Sequence, residues 1–243
     1  LKYVMICLFE RGPSPMLSSS RHTLMQRLFP ALEGLIYARF LFLDLTGRGA
    51  AGNSLKYLGI LLCAVFAWYQ ARGGGSRLMA WALTLTLGAD FFLLMLDRYY
   101  VLGLLLFCAV QGLYLLRIAR ANGGRTLWTA RLVLCLLSPA LLAALGRLTG
   151  ENLLALIYFS NFLCNVDLAV KLPRGWGRQF ALGLALFLCC DVCVGIFQSP
   201  GLLPPTLERF ASLGMWLFYL PGQVLIVLSG RNPHETRSRY ENQ

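Results

Sequence analysis

Apolar and polar residues alternate along this chain in long blocks, not at the short spacing of a soluble helix or strand. Eight apolar blocks of about 15 to 22 residues are separated by short joints rich in glycine, proline and charged residues. A helix needs about 20 apolar residues to cross the hydrocarbon core of a bilayer. The pattern predicts an all-α integral membrane protein, a bundle of about eight transmembrane helices. The predicted spans are 29–45, 55–71, 77–96, 99–118, 127–145, 152–170, 178–198 and 207–229.

Composition supports a membrane protein and argues against a nucleic-acid-binding one. The chain is 57% hydrophobic and 14% charged, whereas soluble domains carry about 25% charged residues. Its formal net charge of +11 comes from residues that punctuate the apolar spans. No basic module with interleaved aromatic residues is present, so we assign the charge to topology and lipid headgroups. The predicted partners are membrane lipids, and no nucleic acid.

Lysine and arginine indicate the orientation. They are concentrated in both tails and in the joints that follow the second, fourth and sixth spans. Positive loops face the cytoplasm, so both ends are expected there, which requires an even number of spans. We predict a cytoplasmic tail over 1–28, a transmembrane domain over 29–229 and a cytoplasmic tail over 230–243, in the cell membrane. Met16 and Met25 are alternative start sites, and we assign residues 1–28 no function.

Two aspartates interrupt the most apolar stretches. Asp90 lies within 78–114 and Asp191 within 180–198, and both stretches are otherwise almost wholly apolar. A carboxylate in hydrocarbon is costly and rare, so it indicates a functional site. Each lies 13 residues from the predicted cytoplasmic start of its span, at a depth of about 20 Å. A protonated aspartate in an interhelical hydrogen bond would explain either one alone, but two at matched depth favour one shared site.

Other polar residues of the spans are candidates to line this site. Several of them could equally be interhelical hydrogen-bonding groups. Asp167 is set apart, because it lies four residues before Lys171 and is expected to pair with it on one helix face. The candidate substrate-binding or orienting residues are Lys56, Gln111, Tyr114, Tyr158, Asn161, Tyr219 and Gln223.

The sequence predicts no cofactor and no metal. A G-x-G-x-x-G match at 47–52 lies in a short joint with no strand before it, so it is interpreted as a turn. Cys190 and Cys193 form a C-x-x-C pair without a second pair of ligands. The two histidines, His22 and His234, lie in the tails. Seven of the eight cysteines fall in apolar spans, where cysteine behaves as a small hydrophobic residue.

The order and spacing of the polar residues in spans two to eight resemble a known family. Lys56 opens the second span, and Tyr219 stands four residues before Gln223 in the last. Together with the two aspartates these residues resemble the signatures of the YhhN family, the lysoplasmalogenase-like membrane proteins. The further residues that carry the resemblance are Leu93, Leu94, Tyr99 or Tyr100, Gly103, Phe107, Tyr114, Leu186, Phe187, Leu225 and Ile226.

The resemblance implies a fold and an activity. The family is built of eight membrane helices, and its characterised members hydrolyse the vinyl-ether bond of lysoplasmalogens, releasing a fatty aldehyde and a glycerophospho-base. This chain departs from the family pattern at three positions. Gln111 stands where the family has histidine, Cys190 where it has serine, and Ala89 separates Gly88 from Asp90. Glutamine cannot titrate as histidine does.

The chemistry implied by the resemblance suits two buried carboxyl groups. A protonated aspartate can deliver a proton to the alkene carbon, and an ionised one can stabilise the resulting cation and activate water. We expect Asp90 and Asp191 to share these roles, in an order the sequence leaves open. Tyr114, Tyr219 and Gln223 would orient them, and Lys56 would hold the lipid phosphate. The alternatives are a non-hydrolytic lipid-binding or proton-coupled transport protein and a catalytically silent relative.

Overall fold

The structure, a computed structural model, describes residues 19–199, 201 and 203–231. The remainder of the two predicted tails lies outside the described residues. The described part folds into eight α-helices, the third of which ends in a π turn. The helices are α1 (Ser19–Leu45), α2 (Gly49–Arg72), α3 (Arg77–Asp90, followed by the π turn Phe91–Met95), α4 (Tyr100–Ala121), α5 (Trp128–Ala144), α6 (Gly150–Val170), α7 (Trp176–Phe197) and α8 (Pro205–Leu228).

The predicted all-α membrane bundle is confirmed. Among the described helices, six are long and apolar enough to cross a bilayer, which makes this a multi-pass membrane protein. Helix α5 is apolar but has only 17 residues, and α1 is interrupted by charged residues. The six helices are α2 from Ala51, α3 with its π turn, α4, α6, α7 and α8.

Helix α1 begins at Ser19, ten residues before the first predicted span. Hydropathy marks only the part of a helix that suits hydrocarbon, whereas backbone hydrogen bonding can continue into polar sequence. The charged residues of α1 are not all on its outer surface. Glu33 is buried inside the bundle, so this charged residue of α1 belongs to the protein interior.

Helices α7 and α8 pack together more extensively than any other described pair. They approach at Gly183 of α7 and Gly222 of α8. A Cβ atom on Gly183 would lie 2.8 Å from the carbonyl oxygen of Gly222, and one on Gly222 would lie 3.0 Å from that of Gly183. Small residues allow helix backbones in a membrane to meet this closely. The contact holds Asp191, on α7, beside the helix that carries Tyr219.

The end of α3 departs from α-helical geometry directly after Asp90. Over Phe91–Met95 the backbone forms a π turn, and the Leu96 amide donates to the Phe91 carbonyl at 3.0 Å. Gly103 of α4 faces this turn, where a Cβ would lie 2.6 Å from Leu93 Cγ. A π turn inserts one residue into the helical repeat and is frequent at functional sites. Here it allows α4 to pack against α3 close to Asp90.

Two polar contacts lie nearer the opposite ends of the helices. Arg117 of α4 donates to the Ser229 hydroxyl at 2.7 Å, and its guanidinium lies 4.4 Å from the Trp176 ring centroid. This contact ties α4 to α7 and to the end of α8. Lys171 pairs with Asp167 at 2.7 Å, and both side chains are exposed. The predicted surface pair is therefore confirmed, and Asp167 has no part in the buried site.

Candidate active site

Asp90 is buried and held by a tyrosine from another helix. The carboxyl residue is 5% exposed at the end of α3. The hydroxyl of Tyr219, on α8, donates a hydrogen bond of 2.7 Å to Asp90 Oδ2. The two residues are 129 positions apart in sequence. Because α3 and α8 contact each other directly, the fold brings the two together inside the bundle.

Asp191 has the same kind of partner. The hydroxyl of Tyr158, on α6, donates a hydrogen bond of 2.7 Å to Asp191 Oδ2. Asp191 is half-buried, so it is the more accessible of the two carboxyl groups. Asp191 also lies close enough to Asp90 to interact with it electrostatically. The structure therefore brings together four of the predicted site residues, two aspartates and two tyrosines, from four different helices.

Aromatic rings separate these polar groups from one another and fix the tyrosines. The Phe187 ring lies 5.3 Å from that of Tyr219 and 4.9 Å from that of Phe162, which in turn lies 6.0 Å from that of Tyr158. Phe107 packs against both Phe187 and Tyr158. Edge and tilted ring contacts of this kind restrict the tyrosine orientations. The site is therefore two tyrosine-bound carboxyl groups set in an apolar, aromatic surround.

Gln111 and Asn161 belong to a polar cluster beside Asp191. Asn165 of α6 donates to Gln111 Oε1 at 2.8 Å. Asn165 accepts from Arg131 of α5 at 2.7 Å, and Asn161 accepts from the same guanidinium at 2.9 Å. Asn161 bonds to Arg131 and to its own helix backbone rather than to either carboxyl group. Gln111 is therefore near the site, whereas, among the described residues, Asn161 is connected to Gln111 only through Arg131 and Asn165.

Lys56 lies close to the site but is already paired. It is 4% exposed, and its Nζ atom forms an ion pair of 2.8 Å with Asp44 of α1. The same atom lies 4.8 Å from the Trp216 ring centroid, and that ring packs 5.5 Å from the Tyr219 ring. Lys56 thus stands next to the tyrosine that holds Asp90. An ammonium group has three donors, so the Asp44 contact leaves donors for a second acceptor.

Tyr114 and Gln223 are fully buried with polar atoms that lack protein partners of normal hydrogen-bond geometry. These atoms are the Tyr114 hydroxyl and both polar atoms of the Gln223 amide. The Thr86 hydroxyl is also buried and also lacks a partner of normal geometry. Gln223 lies one helical turn beyond Tyr219 on the same face of α8. Buried polar groups nearly always have a hydrogen-bond partner. These side chains can therefore serve a polar ligand in the interior of the bundle.

Three buried polar residues here were not among the sequence candidates. Glu33 of α1 accepts a hydrogen bond from the Cys63 thiol at 3.5 Å, and its second oxygen has no described partner. Its charge within an apolar span was the signal that could have identified it. Arg131 was missed because it is close to a joint, where arginine was interpreted as a marker of topology. Its partner Asn165 was missed with it.

Within 19–199, 201 and 203–231, no three His, Cys, Asp or Glu side chains cluster to hold a metal.

Comparison with known families decides the relationship. The model of the YhhN family matches residues 53–230. The chain belongs to the YhhN family. No curated protein matches the chain, and no solved structure matches it.

The YhhN match spans the whole site except for what α1 contributes. Both aspartates, both tyrosines and Lys56 lie inside the matched range, whereas Glu33 and Asp44 precede it. The resemblance seen in the sequence is thereby confirmed as membership. Gln111 also lies inside the matched range and occupies a buried place beside Tyr158.

Proposed function

We propose that this YhhN protein is a membrane-embedded hydrolase of the cell membrane that cleaves the vinyl-ether bond of lysoplasmalogen. The products are a fatty aldehyde and a glycerophospho-base. The observation that carries the proposal is the pair of carboxyl groups, each held by a tyrosine from another helix at 2.7 Å. Two interacting carboxyl groups in a desolvated place favour one protonated and one ionised member. That is the combination vinyl-ether hydrolysis requires.

The reaction needs one proton donor and one proton acceptor. The protonated carboxyl group transfers its proton to the alkene carbon distant from oxygen, and the adjacent carbon becomes an oxocarbenium centre. The ionised carboxylate stabilises that cation and accepts a proton from the water that adds to it. The resulting hemiacetal breaks its bond to the glycerol oxygen, its hydroxyl proton is transferred to that oxygen, and the aldehyde is released. The net reaction consumes one water molecule.

The surroundings suit a single-chain lipid. The rings of Phe107, Phe162 and Phe187 pack between the tyrosines and make the surroundings of the carboxyl groups apolar, as an alkenyl chain would require. Low polarity also strengthens the attraction between a carboxylate and a developing cation. Lys56 near the start of α2 and Asp90 at the end of α3 lie at the same end of neighbouring antiparallel helices. A lipid phosphate at Lys56 would thus accompany an ether bond at the carboxyl groups.

Lys56 offers a direct test of phosphate binding. We expect Lys56→Gln to raise the KM for lysoplasmalogen about tenfold, with little change in kcat, because a charge-assisted contact to the phosphate is lost. Asp44→Asn is the matched control, since it removes the ion-pair partner but keeps the ammonium group. Steady-state kinetics of both variants measure the effect. A Lys56→Gln enzyme with an unchanged KM would remove Lys56 from the substrate site.

Aldehyde release is the measurement that tests the activity itself. Purified protein in liposomes should release fatty aldehyde from lysoplasmalogen and none from a lysophospholipid with an ester bond at the same position. Asp90→Asn/Asp191→Asn protein, prepared identically, controls for contaminating enzymes. Folded wild-type protein that releases no more aldehyde than this double variant would overturn the proposal.

A second candidate function is non-hydrolytic lipid binding or proton-coupled transport. Gln111 favours it, because an amide replaces the titratable histidine of the family. The unpartnered amide of Gln223 is also suited to binding a solute without reaction. For this function, liposomes should show ligand binding or proton-dependent uptake while no aldehyde appears.

A further inference from the structure

We propose that Arg131 is a positioning residue that keeps Asp191 ionised through a one-way relay of side chains, which makes Asp191 the base and Asp90 the acid. The relay runs from Arg131 through Asn165 and Gln111 to Tyr158. The catalytic part of this inference rests on the proposed hydrolase function. The charge assignment itself rests on three hydrogen bonds and on the contact between Gln111 and Tyr158, described next.

Arg131 is a buried cation with neutral partners. It is 3% exposed. Its Nε atom donates to the Thr126 carbonyl at 2.7 Å, one terminal nitrogen donates to Asn161, and the other donates to Asn165 Oδ1 at 2.7 Å. No carboxylate pairs with it in the described part of the chain. Its charge therefore polarises the amides that it contacts, because no neighbouring anion among the described residues neutralises it.

The arginine fixes which way each amide points. A guanidinium can only donate, so Asn165 Oδ1 must accept and Asn165 Nδ2 must donate. That nitrogen donates to Gln111 Oε1 at 2.8 Å and to the Gln111 carbonyl at 3.0 Å. Gln111 Oε1 is thereby an acceptor, and Nε2 is the donor end of Gln111. The orientation of both amides thus follows from the chemistry of one residue.

The donor end of Gln111 is adjacent to Tyr158. The two side chains interact, and Gln111 Nε2 has no hydrogen bond of normal geometry to any described residue. Tyr158 in turn donates to Asp191 Oδ2 at 2.7 Å. Every donor in the series points away from the guanidinium and towards the carboxyl group. Such a series polarises each member in the same sense and favours the ionised form of its final acceptor.

In the part of the chain that the structure describes, Asp90 has no donor series of this kind. The cation described on its side, Lys56, is paired with Asp44 at 2.8 Å, and its Nζ atom contacts the ring of Trp216 rather than the Tyr219 hydroxyl. The hydrogen bond to Asp90 comes from Tyr219, which is packed between the rings of Phe187 and Trp216. No arginine, lysine or amide donates to that tyrosine among the described residues. The titratable groups that act on Asp191 are Asp90 of α3, Tyr158 of α6, Tyr100 of α4 and Cys190 of its own helix.

None of these neighbours is a cation. The relay is therefore the source of positive character at Asp191, and mutual repulsion then favours a protonated Asp90.

The assignment gives the two carboxyl groups fixed roles. Asp90 gives its proton to the alkene carbon, and Asp191 takes one from the attacking water. After the hemiacetal has broken down, return of that proton from Asp191 to Asp90 restores the starting state. No net proton is gained or lost beyond those of the water consumed.

Infrared spectroscopy of the substrate-free protein in liposomes tests the assignment, with every variant built on Glu33→Gln, which removes the other buried carboxyl group. At neutral pH we expect a protonated-carboxyl band that is lost in Asp90→Asn. Arg131→Gln should gain a second such band, which disappears in Arg131→Gln/Asp191→Asn. It should also lower kcat about tenfold, with KM unchanged, and move the acidic limb of the kcat profile to higher pH. Arg131→Lys, which keeps the charge, should restore part of kcat.

Arg117→Gln is the matched control, because Arg117 is also a buried arginine but donates to Ser229 at the other side of α4. It should leave the bands and the pH profile as in the wild type. If Arg131→Gln does not fold, Gln111→Leu interrupts the relay in its middle and should give the same second band. A wild-type band that persists in Asp90→Asn, or an Arg131→Gln spectrum like that of Arg117→Gln, would overturn the assignment. The spectra need no turnover, so failed hydrolysis with the expected bands would reject the proposed function alone.

Discussion

Asp90→Asn and Asp191→Asn are each expected to lower kcat for aldehyde release by about 10²–10⁴-fold, the usual contribution of general acid–base catalysis. Asparagine has nearly the size of aspartate and can still accept the hydrogen bond from Tyr219 or Tyr158. The variants should therefore fold while losing the proton transfer. The measurement is kcat in liposomes, together with the thermal unfolding temperature of each purified variant.

The matched control is Asp167→Asn, because Asp167 is an exposed aspartate of a membrane helix that pairs only with Lys171 among the described residues. It should keep wild-type kcat. Combining the two buried replacements should cost little more than the worse single one, because residues that act as a unit are not additive. Two folded single variants with wild-type kcat would reject catalysis by this pair.

Gly183→Ala is expected to destabilise the protein by about 1–3 kcal/mol, as overpacking of a well-packed interior does. A Cβ at this position would lie 2.8 Å from the Gly222 carbonyl oxygen and 2.9 Å from the Ile226 amide nitrogen. Both are backbone atoms of α8, which cannot move aside as a flexible side chain can. Urea or thermal unfolding in detergent gives the change in the free energy of unfolding.

Gly195→Ala on the same helix is the comparison, because a Cβ there would meet nothing within 4 Å. Alanine is a better helix former than glycine by roughly 0.5–1 kcal/mol, so this variant should be equally or slightly more stable. The two replacements are chemically identical and differ in the expected sign. Equal shifts in both variants would show that the α7–α8 contact is looser than the structure places it.

The helices and the two aspartates could be predicted from sequence because each has a strong local signal. Apolar blocks of the length of a membrane span locate the helices, although α1 begins ten residues and α2 six residues before the predicted span. A charge amid apolar residues is costly enough to identify Asp90 and Asp191 one at a time. The structure starts α7 at Trp176, two residues before the predicted span, so Asp191 is about 3 Å further from its helix start than Asp90 is.

The pairing within the site could not be predicted. Which tyrosine faces which aspartate depends on how each helix is rotated about its axis, and an almost uniformly apolar helix carries little information on that rotation. The burial of Arg131 could not be predicted either. Near a joint, arginine usually faces water or headgroups, and only the packing of α5 on α6 buries its guanidinium among asparagines.

The close glycine contact between α7 and α8 also has a mechanical consequence. With their backbones interlocked, these two helices can neither slide nor separate without breaking many contacts, so Asp191 and the Tyr219 hydroxyl travel as one rigid body. Helix α5, in contrast, packs mainly against the single helix α6. Among the described helices, α5 at the edge of the bundle is therefore the one least constrained by its neighbours, whereas the distance between Asp191 and the Tyr219 hydroxyl is fixed by the α7–α8 contact.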